Sequence, residues 1–149
     1  MKLRLYLDTS VFSAYYDQRH LDRKVETEQF WNKLNQFEVT TSELAKLELS
    51  QTSNAELRTQ FLELLNQVTM VPVTLEMKDL AQNYLDADIF TPTMLNDAIH
   101  VAAAVMTRQD VLLSWNFKHL VNRRRRGMVN QVNISKGLPM IEIVAPPEI

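Results

Sequence analysis

Residues 3–12 read Leu-Arg-Leu-Tyr-Leu-Asp-Thr-Ser-Val-Phe. Leu3, Leu5 and Leu7 alternate with Lys2, Arg4 and Tyr6, which is the period of a strand. Asp8 ends the apolar run, Thr9 and Ser10 follow, and a helical pattern begins. A strand that passes directly into a helix is the opening unit of an open α/β sheet. In such sheets ligands gather at the carboxyl edge of the strands, and that is where Asp8 falls. Asp is also a good helix N-cap, so Asp8 alone does not separate a functional acid from a structural one.

The same alternation of short apolar runs and longer helical patterns continues through the chain. Strands are expected at 3–7, 38–41, 69–73, 111–114 and 140–144. Helices are expected at 9–17, 22–37, 42–51, 54–67, 75–87, 92–107, 117–122 and 128–136. Leu57, Phe61, Leu64 and Leu65 form one stripe of the fourth of these helices, and Asn54 is placed to cap it. Pro92 suits a first helical turn, and Gly137 followed by Pro139 reads as a helix stop. Strands separated by helices predict a mostly parallel sheet of about five strands covered on both faces, a three-layer α/β/α fold. At 149 residues, with no linker or repeat, the whole chain 1–149 is expected to be one domain.

Composition narrows the chemistry. The chain has no cysteine, which excludes disulfides and thiolate ligands. Its three histidines, His20, His100 and His119, lack zinc-site spacing. With only two glycines there is no phosphate-cradling loop. Neither a signal peptide nor an apolar run of membrane-spanning length is visible, so a cytoplasmic protein without membrane association is expected.

The net charge is only −2, but its distribution is lopsided. Between Asp110 and Glu142 there is no acidic residue, while Lys118, Arg123, Arg124, Arg125, Arg126 and Lys136 all fall there. The remainder is strongly acidic. One basic segment on an acidic body points to an anionic partner such as a nucleic-acid backbone; a solvated basic loop is the plainer alternative.

Three more positions join Asp8. Glu48 shares a helix face with Leu44 and Ala45 and sits between Leu47 and Leu49, an uncommon place for a carboxylate. Ser42 would cap that helix, and Glu43 is explained by the helix dipole. Asp97 lies near the start of a helix whose buried stripe is Leu95, Ala98, Ile99, Ala102 and Val105; a first-turn Asp favoured by the helix dipole is the plainer alternative. Ser114 and Asn116 occupy the carboxyl end of the fourth strand, where Asn116 can offer a carbonyl oxygen without charge. Oxygen ligands from several elements suit a hard cation such as Mg²⁺ or Mn²⁺. Such an ion would offset the mutual repulsion of the carboxylates and activate water against a phosphodiester. His100 and His119 could approach a phosphate, but histidines so placed are more often packed or surface helix residues. Trp115 and Phe117 could stack on bases, with core packing as the alternative.

The order Asp8, Glu48, Asp97, Asn116 resembles that of the PIN domain family, which includes the VapC-type toxins of bacterial toxin–antitoxin pairs. Leu-Asp-Thr-Ser-Val-Phe (7–12), Ser-Glu-Leu-Ala-Lys-Leu-Glu-Leu (42–49), Asn-Asp-Ala-Ile-His-Val-Ala-Ala-Ala (96–104) and Leu-Leu-Ser-Trp-Asn-Phe-Lys-His-Leu-Val-Asn (112–122) carry it. The resemblance implies a divalent-metal-dependent endoribonuclease with Asp8, Glu48 and Asp97 as ligands of Mg²⁺ or Mn²⁺. It also implies Thr9 or Ser10 as an accessory hydroxyl, and a toxin that dimerises and is neutralised by a small antitoxin. Lys118 and Arg123 to Arg126 would engage RNA. Asn116 stands where many members have a fourth Asp. That departure keeps open a non-catalytic RNA-binding module. A phosphatase using Asp8 as nucleophile would commonly carry a second Asp at position 10, which is Ser.

Overall fold

The computed structural model describes residues 1–149. Its elements are β1 (Arg4–Leu7), α1 (Thr9–Ser13), α2 (Leu21–Asn32), β2 (Glu38–Ser42), α3 (Glu43–Ser50), α4 (Ala55–Leu65), β3 (Thr69–Val71), α5 (Leu75–Asp86), α6 (Leu95–Met106), β4 (Val111–Leu113), α7 (Arg123–Ser135) and β5 (Glu142–Val144). The five strands form one sheet in the order β3-β2-β1-β4-β5, and every pair is parallel. Helices cover both faces, giving the expected three-layer α/β/α architecture.

β1 is the central strand, so both of its faces are buried. Leu5 and Leu7 point into one core with Val11, Phe12, Phe30, Trp31, Ala45 and Leu49. Tyr6 points into the other with Leu44, Leu80, Tyr84, Leu112 and much of α6. Residues 98–105 of α6 are buried without a break, and the alanines at 98, 102, 103 and 104 let it pack closely. No helix is long and apolar enough to cross a membrane.

Several expected helices are shorter than their apolar pattern. The first passes into a 3₁₀ turn at Ala14–Tyr16. The second ends at Asn32 and is followed by a 3₁₀ turn at Leu34–Gln36. Pro92 opens a 3₁₀ turn ahead of α6 rather than α6 itself. β3 stops at Val71, since Pro72 has no N–H to give a ladder.

Residues 117–122 form turns, not a helix. The Asn116 side chain accepts the His119 N–H at 2.9 Å, and its backbone carbonyl accepts those of Leu120 and Val121. Helix α7 starts at Arg123 rather than 128, because Asn122 caps it by accepting the Arg125 N–H at 3.0 Å. It ends as expected: Gly137, at φ 71°, lets Leu138 N–H return to the Asn133 carbonyl at 2.8 Å, the closing bond of a Schellman turn.

Candidate active site at the carboxyl edge of the sheet

The register pairs Leu7 with Leu113, so Asp8 and Ser114 leave the sheet side by side. Asp8 is only 4% exposed. Its Oδ1 accepts the Ser10 N–H at 3.0 Å and the Ser10 hydroxyl at 2.5 Å, and its Oδ2 accepts the Ser114 hydroxyl at 2.5 Å. Asp8 is therefore the N-cap of α1 and a buried carboxylate at the sheet edge at once. All its donors are neutral, and no basic side chain is within ion-pair distance of it. Burial pushes the carboxyl pKa up against the pull of His100, Ser10 and Ser114, and the charge of Asp97 adds to the rise.

Glu48 is held from two sides. Its Oε1 accepts the Thr9 hydroxyl at 2.7 Å and lies 2.7 Å from His100 Nε2. Behind it runs a buried relay: His100 Nδ1 is 2.7 Å from the Tyr6 hydroxyl, which is 2.7 Å from Ser42 Oγ. Burial raises the Glu48 carboxyl, but the hydrogen bond and charge of His100, with Thr9 and Asn96, outweigh it and hold the pKa below the ordinary value. Ser42 occupies the N-cap position of α3, yet its side chain makes no capping bond; its hydroxyl pairs with Tyr6 instead.

Asp97, in the first turn of α6, sits 2.9 Å from His119 Nδ1 through its Oδ2. Asn116 N–H donates to Ser114 Oγ at 2.9 Å, while its side-chain oxygen is used on His119 N–H. Tyr6 and Ser42 are site residues that the sequence does not single out as functional, and neither Ser114 as a partner of Asp8 nor His119 as a partner of Asp97 is visible in it. Only the β1–β4 register places Ser114 beside Asp8, and only the turn after Asn116 brings His119 back to Asp97.

The chemistry of the donor set fits a hard divalent cation. Asp8, Glu48 and Asp97 are oxygen donors at one sheet edge, and hydroxyls of Thr9, Ser10 and Ser114 stand among them. Yet no group of three His, Asp or Glu side chains is gathered to hold an ion as placed. Each carboxylate is turned onto a protein donor, as expected for like charges that repel.

The basic run divides. Arg123 and Arg124 are exposed, as is Lys118. Arg125 donates to the carbonyls of Ile89 at 3.0 Å, Lys118 at 3.0 Å and His119 at 2.8 Å, and lies over the Phe90 ring. Arg126 donates to the Ile143 carbonyl at 2.9 Å. Two of the four arginines thus tie α7 and the 117–122 turns to the fold. Trp115 is buried, and its indole N–H donates to Thr27 at 2.9 Å; Phe117 stays exposed. A groove of about 900 Å³ lies at the opposite edge of the sheet, lined by Arg4, Glu38 and Thr69 among others, and touches none of Asp8, Glu48 and Asp97.

Comparison with known proteins shows the family and the fold. The PIN domain family model matches residues 5–116, a span that holds all four site positions and leaves out α7. No curated protein matches the chain in sequence. Among solved structures, VapBC2 from Rickettsia felis, bound to a DNA fragment from its promoter, aligns with TM-score 0.57 at 11% identity, covering 95% of this chain and 97% of that one. A toxin–antitoxin complex from Klebsiella pneumoniae aligns with TM-score 0.56 at 16% identity over 77% and 88%. Mycobacterium tuberculosis VapC20, a sarcin–ricin loop cleaving toxin, aligns with TM-score 0.54 at 17% identity over 72% and 86%.

Proposed function

The chain belongs to the PIN domain family, and from that membership and its acid site we propose that it is a divalent-metal-dependent endoribonuclease, the toxin of a toxin–antitoxin pair. The observation that carries the reading is Asp8: a buried carboxylate with neutral donors only, at the same sheet edge as Glu48 and Asp97. A buried anion without a cationic partner is costly, and a cation taken up there would remove that cost.

Asp8, Glu48 and Asp97 would hold Mg²⁺ or Mn²⁺. Such an ion supplies charge to a phosphodiester oxygen and acidifies an attacking water. The protein's part is positional. Ser10 and Ser114 fix the Asp8 carboxylate, and His100 and Thr9 fix that of Glu48. His119 fixes Asp97 and is itself positioned by Asn116. Arg123, Arg124 and Lys118 supply positive charge for the RNA backbone. The structural neighbours that are toxin–antitoxin complexes support a small antitoxin as partner, and a homodimer remains part of the proposal.

The test is cleavage of end-labelled RNA with Mg²⁺ or Mn²⁺. The reading expects internal cuts that vanish with EDTA and in Asp8→Asn. Release of terminal phosphate alone would indicate a phosphatase. One observation favours a non-catalytic RNA-binding module instead: the Asn116 oxygen is already spent on His119. RNA binding with no cutting at any metal concentration would select that module.

A further inference from the structure

Arg23, on α2, lies against two aromatic rings, Trp115 and Phe117, which meet each other edge to face. Its guanidinium carbon lies 5.6 Å from the centroid of Trp115 and 5.3 Å from that of Phe117. It has no carboxylate within ion-pair distance and donates no side-chain hydrogen bond to the protein. A planar guanidinium held by rings and left with its donors free is prepared for bidentate pairing with phosphate. Phe117 is 47% exposed, so part of its ring is open to a ligand.

Trp115 and Phe117 lie on the segment that borders the site. Trp115 N–H donates to Ser10 Oγ at 2.8 Å, and Ser10 in turn holds Asp8. Phe117 lies in the short segment whose ends touch the site, Ser114 on Asp8 and His119 on Asp97. The rim between those ends therefore carries an aromatic face with a free cation against it. Trp115 is anchored to Thr27 of α2, whose hydroxyl donates to the Arg23 carbonyl, so the turn of α2 that carries Arg23 is tied to the residue that meets Ser10.

We propose that Arg23 and Phe117 form a nucleotide subsite beside the acids, Arg23 taking a backbone phosphate and Phe117 stacking on the base of single-stranded RNA. The subsite rests on the ribonuclease reading and adds to it how the strand is gripped next to the cut. Stacking on a phenyl face tolerates any base, so the subsite selects unpaired RNA rather than a sequence.

The experiment is fluorescence anisotropy of the full chain with a labelled oligouridylate, in EDTA and again with Mn²⁺, beside the same strand made abasic. Phe117→Leu keeps an apolar side chain but removes the π-face. It should weaken binding on the order of 10-fold, with Phe117→Tyr close to wild type. The abasic strand should not distinguish Phe117→Leu from wild type. Arg23→Met should weaken both strands and lower the slope of log affinity against log salt by about 0.7. If wild type binds while both variants match it, the subsite is wrong and the ribonuclease reading survives. If wild type binds no RNA in either condition, both fall.

Discussion

His100 Nε2 stands 2.7 Å from Glu48 Oε1, with the imidazole 3% and the carboxylate 29% exposed. The ring's other nitrogen faces the Tyr6 hydroxyl, so the Glu48 carboxylate is anchored through the sheet to Ser42. Tyr6→Phe removes the hydroxyl shared by two buried partners. It should cost about 1–3 kcal/mol, measured by urea unfolding, and should leave Glu48 less firmly oriented.

The lowered pKa of Glu48 sets a pH dependence. A carboxyl depressed in the folded state adds stability above its unfolded value and loses it as pH falls through the folded value. Glu48→Gln should therefore be less stable than wild type at neutral pH. The gap should close in acid, below the ordinary Glu value of about 4.3. Urea midpoints across pH check this.

Asp8 behaves in the opposite sense. Burial raises its pKa, so ionisation in the folded state costs stability as pH climbs from the unfolded value, about 3.9, through the raised one. In EDTA, Asp8→Asn should be more stable than wild type at neutral pH, with no advantage below that window. Added Mn²⁺ should stabilise wild type and not the variant. A less stable Asp8→Asn in EDTA would contradict the account of this carboxylate.

Arginines of one run should separate into two classes. Arg123 and Arg124 are free, so replacing both with Ala should lower the salt slope of single-stranded RNA binding by about 1.4 with little change in folding. Arg125→Ala strips three carbonyls of their donor and should cost about 1–3 kcal/mol of stability.

Asn116→Asp keeps an oxygen for the His119 N–H and brings a negative charge to the site. Cleavage by this variant should need less Mn²⁺ than cleavage by the parent. An unchanged metal requirement would place position 116 outside the ion's reach.

The sheet is legible because β1, β4 and β5 are apolar at strand length, β2 is β-branched between two helical patterns, and the central strand ends on the acid. Asp8, Glu48 and Asp97 were readable for the same reason: each interrupts or borders an apolar pattern. What pattern could not carry was anything set by pairing between distant segments. Ser114 looks like an ordinary strand end until Leu7 pairs with Leu113. His119 falls in a stretch that reads as helix, but Asn116 binds its N–H and turns the chain. The α7 start was misplaced because four arginines oppose the helix dipole, while the Asn122 cap and the carbonyls that take Arg125 and Arg126 favour the helix there.

The central claim is that Asp8, Glu48 and Asp97 take a divalent cation. Titration of Mn²⁺ into the full chain, followed by the electron paramagnetic resonance of the free ion, tests it most directly. The account predicts loss of free-ion signal on adding wild type, and recovery of most of it with Asp8→Asn or Asp97→Asn. Equal uptake by wild type and both variants, or no uptake by any of them, would contradict it.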